Sequence, residues 1–214
     1  DEDGRTNAEE LTELLIPITK AWCTDIGVEV TSLAVQVYGG MGFVEETGIS
    51  QYFRDARIAP IHEGTNGIQA MDLVGRKLPM RAGGVVTDTI ADIRATADAL
   101  KANDDLASIG AHLAEATDAL DEATQWVFGH AGEVRDVLAG ATPYLRMWGL
   151  VVGGWVLGRS ALAATEWGSG DGPEDFCARK VHTARWFADQ HLSTVAGLVT
   201  RTTSGAALMD AATF

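Results

Sequence analysis

Residues 58–67 read IAPIHEGTNG and place one carboxylate, Glu63, between an apolar approach and a glycine. Two chemistries suit an acid at that point. Ile58, Pro60 and Ile61 could strip water from it, and desolvation raises a carboxylate pKa towards the range of a general base. Alternatively, Glu63 is an acid at the start of the helix that opens in EGTN, where the helix dipole favours it. The pattern leaves both readings open. The stretch YGGMG at 38–42 is a second candidate, because glycines let a backbone approach a phosphate closely. The dinucleotide fingerprint needs a strand before such glycines and a helix after them. Here a helical run precedes them, so the plain alternative is a turn that ends a helix.

Other reactive residues form no constellation. His62, His112, His130, His182 and His191 include no i, i+4 pair, so no helix carries a zinc pair, and no metal site is expected. No G-x-S-x-G elbow occurs. Cys23 and Cys177 match no metal or redox spacing and read as buried reduced thiols, which fits a cytoplasmic protein. Arg54, Asp55 and Arg57 in FRDARI read as a solvated ion-pair face.

The elements that must position these residues read as helices throughout. Residues 8–38 form a long helical run, which Pro17 should kink or interrupt and Gly39–Gly40 should end. GGMGFVEETGIS reads as a loop, followed by a short helix near 46–56 and a turn at Pro60. A helix from about 65 to 77 has Ile68, Met71, Val74 and Leu78 as one buried stripe. Ile90, Ile93, Ala97 and Leu100, then Leu106, Ile109, Leu113, Ala116 and Leu120, predict an antiparallel helix pair broken at Asn103–Asp104. Two further helices are expected, near 142–166 and, after the loop GSGDG, near 173–203. MWGLVVGGWVLG at 147–158 is shorter than the roughly 20 residues a bilayer requires. It reads as a buried helix whose glycines admit a close neighbour. The six tryptophans read as core. The composition shift at PMRAGG divides the chain into residues 1–80 and 81–214. The fold class is all-α.

The chain has 214 residues, is 46% hydrophobic and carries a formal net charge of −14. It can bury a sizeable core, and its acidity repels phosphate backbones, so no nucleic acid partner is expected.

One ordered set of motifs goes further. Residues 20–78 contain Q-x-x-G-G, then G-F, then R-D-A, then E-G-T and a helix ending in G-R-K. In that order and at those spacings they resemble the C-terminal helical domain of acyl-CoA dehydrogenases. Residues from about 84 to 214 resemble the extra C-terminal helical bundle of larger members, the methylmercaptopropionyl-CoA dehydrogenase-like branch. The resemblance implies an FAD enzyme of the β-oxidation type. Glu63 would remove the α-proton of an acyl-CoA thioester while the β-hydride passes to N5 of FAD, giving a trans-2-enoyl-CoA. It implies that Gly64 lies beside the substrate, that Thr65, Asn66 and Gly67 approach the flavin, and that Gln36, Val37, Tyr38, Gly39 and Gly40 contact the FAD of a neighbouring subunit. A homo-oligomer, dimer or tetramer, and an electron-transfer flavoprotein as acceptor follow from the same resemblance. His62 stands where the family often has tyrosine, and Gly67 where many members have glutamine.

The family's catalytic unit also has an N-terminal helical domain, a β-barrel and the first part of the C-terminal bundle. These do not fit in 214 residues, so the expectation is a piece of a longer polypeptide or of a split assembly. The other reading is a non-catalytic helical module for oligomerisation or regulation.

Overall fold

A computed structural model describes residues 2–168 and 173–212. Its α-helices are α1 (Glu2–Val37), α2 (Gly40–Phe43), α3 (Ile49–Ala56), α4 (Asn66–Asp72), α5 (Gly84–Lys101), α6 (Ala107–Gly129), α7 (Val134–Gly168), α8 (Glu174–Gln190), α9 (Val199–Thr203) and α10 (Ala207–Asp210). No strand occurs among the described residues, so the fold is all-α as expected. Residues 169–172 of the GSGDG loop lie outside the described residues.

Helix α1 runs through Pro17 without a break, so of the expected kink or interruption the interruption does not occur. Pro17 is buried, flanked by Leu14 and Ile18 in the core. Burial on both sides outweighs the lost backbone bond, which costs about 3 kcal/mol. Gly39, with φ +60°, turns the chain where the glycine pair predicted a stop. The stretch expected as a loop then winds into α2 and a 3₁₀ turn, Glu45–Thr47. Gly42 backs onto the Val35 carbonyl so closely that a side chain has no room.

The stripe expected on α4 holds in its second half, Val74 and Leu78, and fails in its first. Ile68 and Met71 are half-exposed, while Ala70, Leu73, Val74, Lys77 and Leu78 are buried. Leu73–Lys77 forms a π turn in which Leu78 N–H donates to Leu73 C=O at 2.9 Å. The wider turn shifts the register and brings the Lys77 ammonium to Glu13 on α1, with Asp72 3.9 Å away. Arg81, Ala82 and Gly83 then take positive φ in succession, a sharp reversal into α5.

The expected stripes of α5 and α6 are all buried. Arg94 meets Asp118 and Asp121 while Gly110 packs on Ala97 and Leu100, so the two helices run antiparallel. The apolar segment 147–158 lies inside α7. That helix is long and apolar enough to cross a membrane by length and composition, and 56% of its most apolar window is buried in the protein. Its glycines admit neighbours: a Cβ at Gly149 would come 2.6 Å from the Trp22 ring, and one at Gly154 would come 2.7 Å from Leu192. The helix expected over 173–203 is broken. α8 ends at Gln190, and a 3₁₀ segment, Leu192–Leu198, follows. Leu192, Val195 and Leu198 recur every three residues, so the 3₁₀ period sends all three into the core.

One hydrophobic cluster runs from Leu14 to Leu198. Trp148 and Trp155 belong to it, whereas Trp167 and Trp186 are exposed, against expectation. Cys177 is buried, but Cys23 is exposed on α1, so only one of the two thiols is a core residue. Arg54 pairs with Glu45 at 3.2 Å on an exposed face.

Candidate active site

The segment between α3 and α4 is wound tightly. The amides of Ile61 and His62 both donate to the Ile58 carbonyl, at 2.9 and 3.0 Å, and the Asn66 amide closes the loop onto the Pro60 carbonyl at 3.0 Å. Glu63 and Gly64 follow with φ of +53° and +83°. The left-handed region suits glycine. For glutamate it costs roughly 1–2 kcal/mol because Cβ crowds the following carbonyl.

Side chains from outside the turn hold it there. The Gln69 amide donates to Glu63 O at 3.3 Å. The Lys20 ammonium donates to Gly64 O at 2.7 Å and to Asn66 Oδ1 at 2.9 Å. Asn66 Nδ2 donates to Asp25 Oδ1 at 2.7 Å, Thr24 Oγ1 at 2.9 Å and Ala21 O at 3.1 Å, all on α1. Thr65 caps α4, its hydroxyl accepting the Ile68 amide at 3.3 Å. Beside Asn66 a cavity of about 80 Å³ is walled by Thr142, Leu145 and Arg146 of α7, so α7 backs the loop's anchor.

The Glu63 carboxylate is exposed and has no partner among the described residues. The first turn of α4 carries no acid, and Glu63 lies two residues before the cap, so Glu63 is not a helix-dipole acid. Nor do its apolar neighbours desolvate it, because Ile58 and Ile61 are themselves half-exposed. They face outward with the loop instead of covering it. His62 is also exposed, and its ring has no partner among the described residues.

Glu63 and Gly64 therefore form a left-handed turn that leads through the Thr65 cap into Asn66 and Gly67, the start of α4, with the Asn66 side chain directed into α1. Gln36, Val37, Tyr38, Gly39 and Gly40 do not join it. They sit exposed at the end of α1. Thr24, which holds the loop, is twelve residues from Gln36, roughly 18 Å along a helix rising about 1.5 Å per residue. A Cβ on Gly39 or Gly40 would meet nothing within 4 Å, and one on Gly67 only the Thr65 hydroxyl at 3.9 Å. Both stretches are thus open to a group that must approach the backbone, which suits a cofactor lying on this surface. Val30, Leu33, Val37, Met41 and Phe43 add an exposed apolar strip around the end of α1. Among the described residues no three His, Cys, Asp or Glu come together.

The sequence reading missed Lys20, Thr24, Asp25 and Gln69. Lys20 and Thr24 stand one helical turn apart, which places them on one face of α1. Nothing local pairs that face with a loop more than forty residues away.

Residues 4–78 match the family model described as acyl-CoA dehydrogenase, C-terminal domain, and residues 89–212 match the one described as acetyl-CoA dehydrogenase C-terminal like. The 3-methylmercaptopropionyl-CoA dehydrogenase of Ruegeria pomeroyi is 42% identical over 89% of this chain and 33% of its own length. The broad-specificity linear acyl-CoA dehydrogenase FadE5 of Mycobacterium tuberculosis is 29% identical over 86% of this chain and 32% of its own. A butyryl-CoA dehydrogenase of Syntrophomonas wolfei is 37% identical over 43% of this chain and 15% of its own. The chain thus spans about a third of the length of the relatives it matches along most of its residues.

Proposed function

Because this chain belongs to the acyl-CoA dehydrogenase family, we propose that it is the C-terminal portion of an FAD-dependent enzyme that converts an acyl-CoA to a trans-2-enoyl-CoA. Glu63 is the base. It takes the α-proton of the thioester, and Gly64 leaves room for the thioester carbonyl. The flavin, when bound, supplies the acceptor for the β-hydride. Thr65 and Gly67 meet the cofactor from the loop, and Asn66 reaches it through its backbone, its carboxamide being engaged by α1. Gln36, Val37, Tyr38, Gly39 and Gly40 receive the cofactor of a neighbouring subunit, and the apolar strip around them belongs to that interface. The exposed carboxylate becomes a poorly solvated base only when the rest of the enzyme and the substrate cover it. Electrons leave to an electron-transfer flavoprotein, and the enzyme is a cytoplasmic dimer or tetramer.

The observation that carries the reading is the turn at Glu63. A non-glycine residue stays left-handed, its carbonyl is tethered by Gln69 and the Gly64 carbonyl after it by Lys20, and its carboxylate is left free. Strain of this kind persists only where surrounding contacts enforce it, and it clusters at functional sites. The test is Glu63→Gln in the full-length enzyme, which keeps size and backbone. Flavin content stays at the wild-type level and turnover falls by roughly 10²–10⁴-fold, the usual contribution of a general base. Near-normal turnover would refute the assignment.

A further inference from the structure

Two charged groups on the distant helix α1, Lys20 and Asp25, hold the Glu63 turn, and of the two only Lys20 bonds the turn's backbone. The Lys20 ammonium reaches across from α1 to Gly64 O at 2.7 Å and to Asn66 Oδ1 at 2.9 Å. Asn66 is gripped in turn by Thr24 and Asp25 on the next turn of α1. Lys20 is partly buried, so water competes only in part for its donors. Gln69 holds the peptide plane that follows Glu63, and Lys20 holds the next one. Two consecutive planes are then fixed beside a residue whose backbone would otherwise relax out of the left-handed region. A bond from an ammonium is about twice as strong as a neutral one, which makes Lys20 the stronger of the two tethers.

We propose that Lys20 is a positioning residue for Glu63, fixing through Gly64 the direction in which the carboxylate meets the substrate. The inference rests on the reading of Glu63 as the base. It assigns Lys20 no contact with substrate or cofactor. Its effect falls on proton abstraction and not on affinity, because a base displaced by about 1 Å can lose 10²-fold in rate while binding contacts elsewhere persist.

The test compares wild type, Lys20→Met and Glu63→Gln as full-length flavoenzymes. The probe is 3-methylmercaptopropionyl-CoA or butyryl-CoA, whichever reduces the wild-type flavin faster, with its α-deuterated form. Lys20→Met is expected to hold flavin at the wild-type level and keep KM within about twofold. Flavin reduction at saturating substrate slows by about 10–100-fold with a larger α-deuterium isotope effect. Amide exchange in residues 62–67 speeds up, a readout independent of activity. Lys20→Gln, which keeps a shorter neutral donor, replaces the methionine variant if that one fails to fold and is judged by the same criteria. Wild-type reduction and exchange rates in the Lys20 variant, beside an inert Glu63→Gln, overturn the role of Lys20 alone. A loss expressed only in KM overturns it too. An active Glu63→Gln overturns the reading of the base, whatever Lys20 does.

Discussion

Asn66→Ala offers a direct measure of what the loop's anchor contributes. The carboxamide has two N–H donors and two acceptor positions. It uses them on Asp25, Thr24 and Ala21 as donor, and on Lys20 at 2.9 Å and Thr24 at 3.2 Å as acceptor. Four simultaneous bonds are the most it can make. At roughly 0.5–0.75 kcal/mol each, the low end of the usual range because the site is partly exposed, truncation costs roughly 2–3 kcal/mol of loop stability. The Asn66 amide keeps its bond to Pro60 O in the variant, so α4 still starts where it does. The change is therefore read locally, by amide exchange at Gly64 and Thr65. Opening should become about 30- to 150-fold more frequent, since about 1.4 kcal/mol is a factor of ten. Asn66→Asp sharpens the test. It loses the donors and sets a carboxylate against Asp25, so at neutral pH it is at least as destabilising as alanine despite a better partner for Lys20. Unchanged exchange in Asn66→Ala, or an aspartate variant as protected as wild type, would refute the assigned role.

Gly149→Ala forces a Cβ to within 2.6 Å of the Trp22 ring and should lower stability by about 1–3 kcal/mol in thermal unfolding, whereas Gly132→Ala, with nothing within 4 Å, should be nearly silent. Tyr144 is fully buried, and burial pushes its phenol far above the usual range. Thr124 gives its proton to Leu120 O, so the phenol is the donor in the 2.7 Å contact between them. A raised folded pKa means stability is intact below the unfolded value near pH 10 and falls above it, by about 1.4 kcal/mol per pH unit for this group. Tyr144→Phe should remove that share of alkaline unfolding. At the acid end, the hydrogen bond from Lys77 holds the Glu13 carboxyl below its ordinary value. Its contribution is complete above the ordinary carboxylate range and is lost as pH falls through the lowered value, so Glu13→Gln should flatten the decline in unfolding temperature below about pH 4.5.

Helix existence was legible where apolar spacing was regular. The stripes of α5 and α6 were read residue by residue, because each follows one 3.6-residue period along a single buried face. The reading failed where the period changes. The π turn at Leu73–Lys77 and the 3₁₀ segment at Leu192–Leu198 each obey a different spacing, set by what they must reach in the core. Pro17 misled for a related reason, since a local backbone preference gave way to burial on both sides of it.

The candidate site divides in the same way. Local pattern left Glu63 between a base and a helix-dipole acid, and the ordered motifs from Gln36 to Lys77 tilted that choice towards the base. Residue order along the chain thus carried the all-helical class, the family and the identity of the candidate acid, because spacing and motif order survive in one dimension. The left-handed turn at Glu63, its exposure, and the hold of Lys20, Thr24 and Asp25 on it were decided by tertiary structure alone. The residues that meet there are separated by some forty positions in sequence. Only the packing of α4 against α1 converts that separation into hydrogen-bond distances.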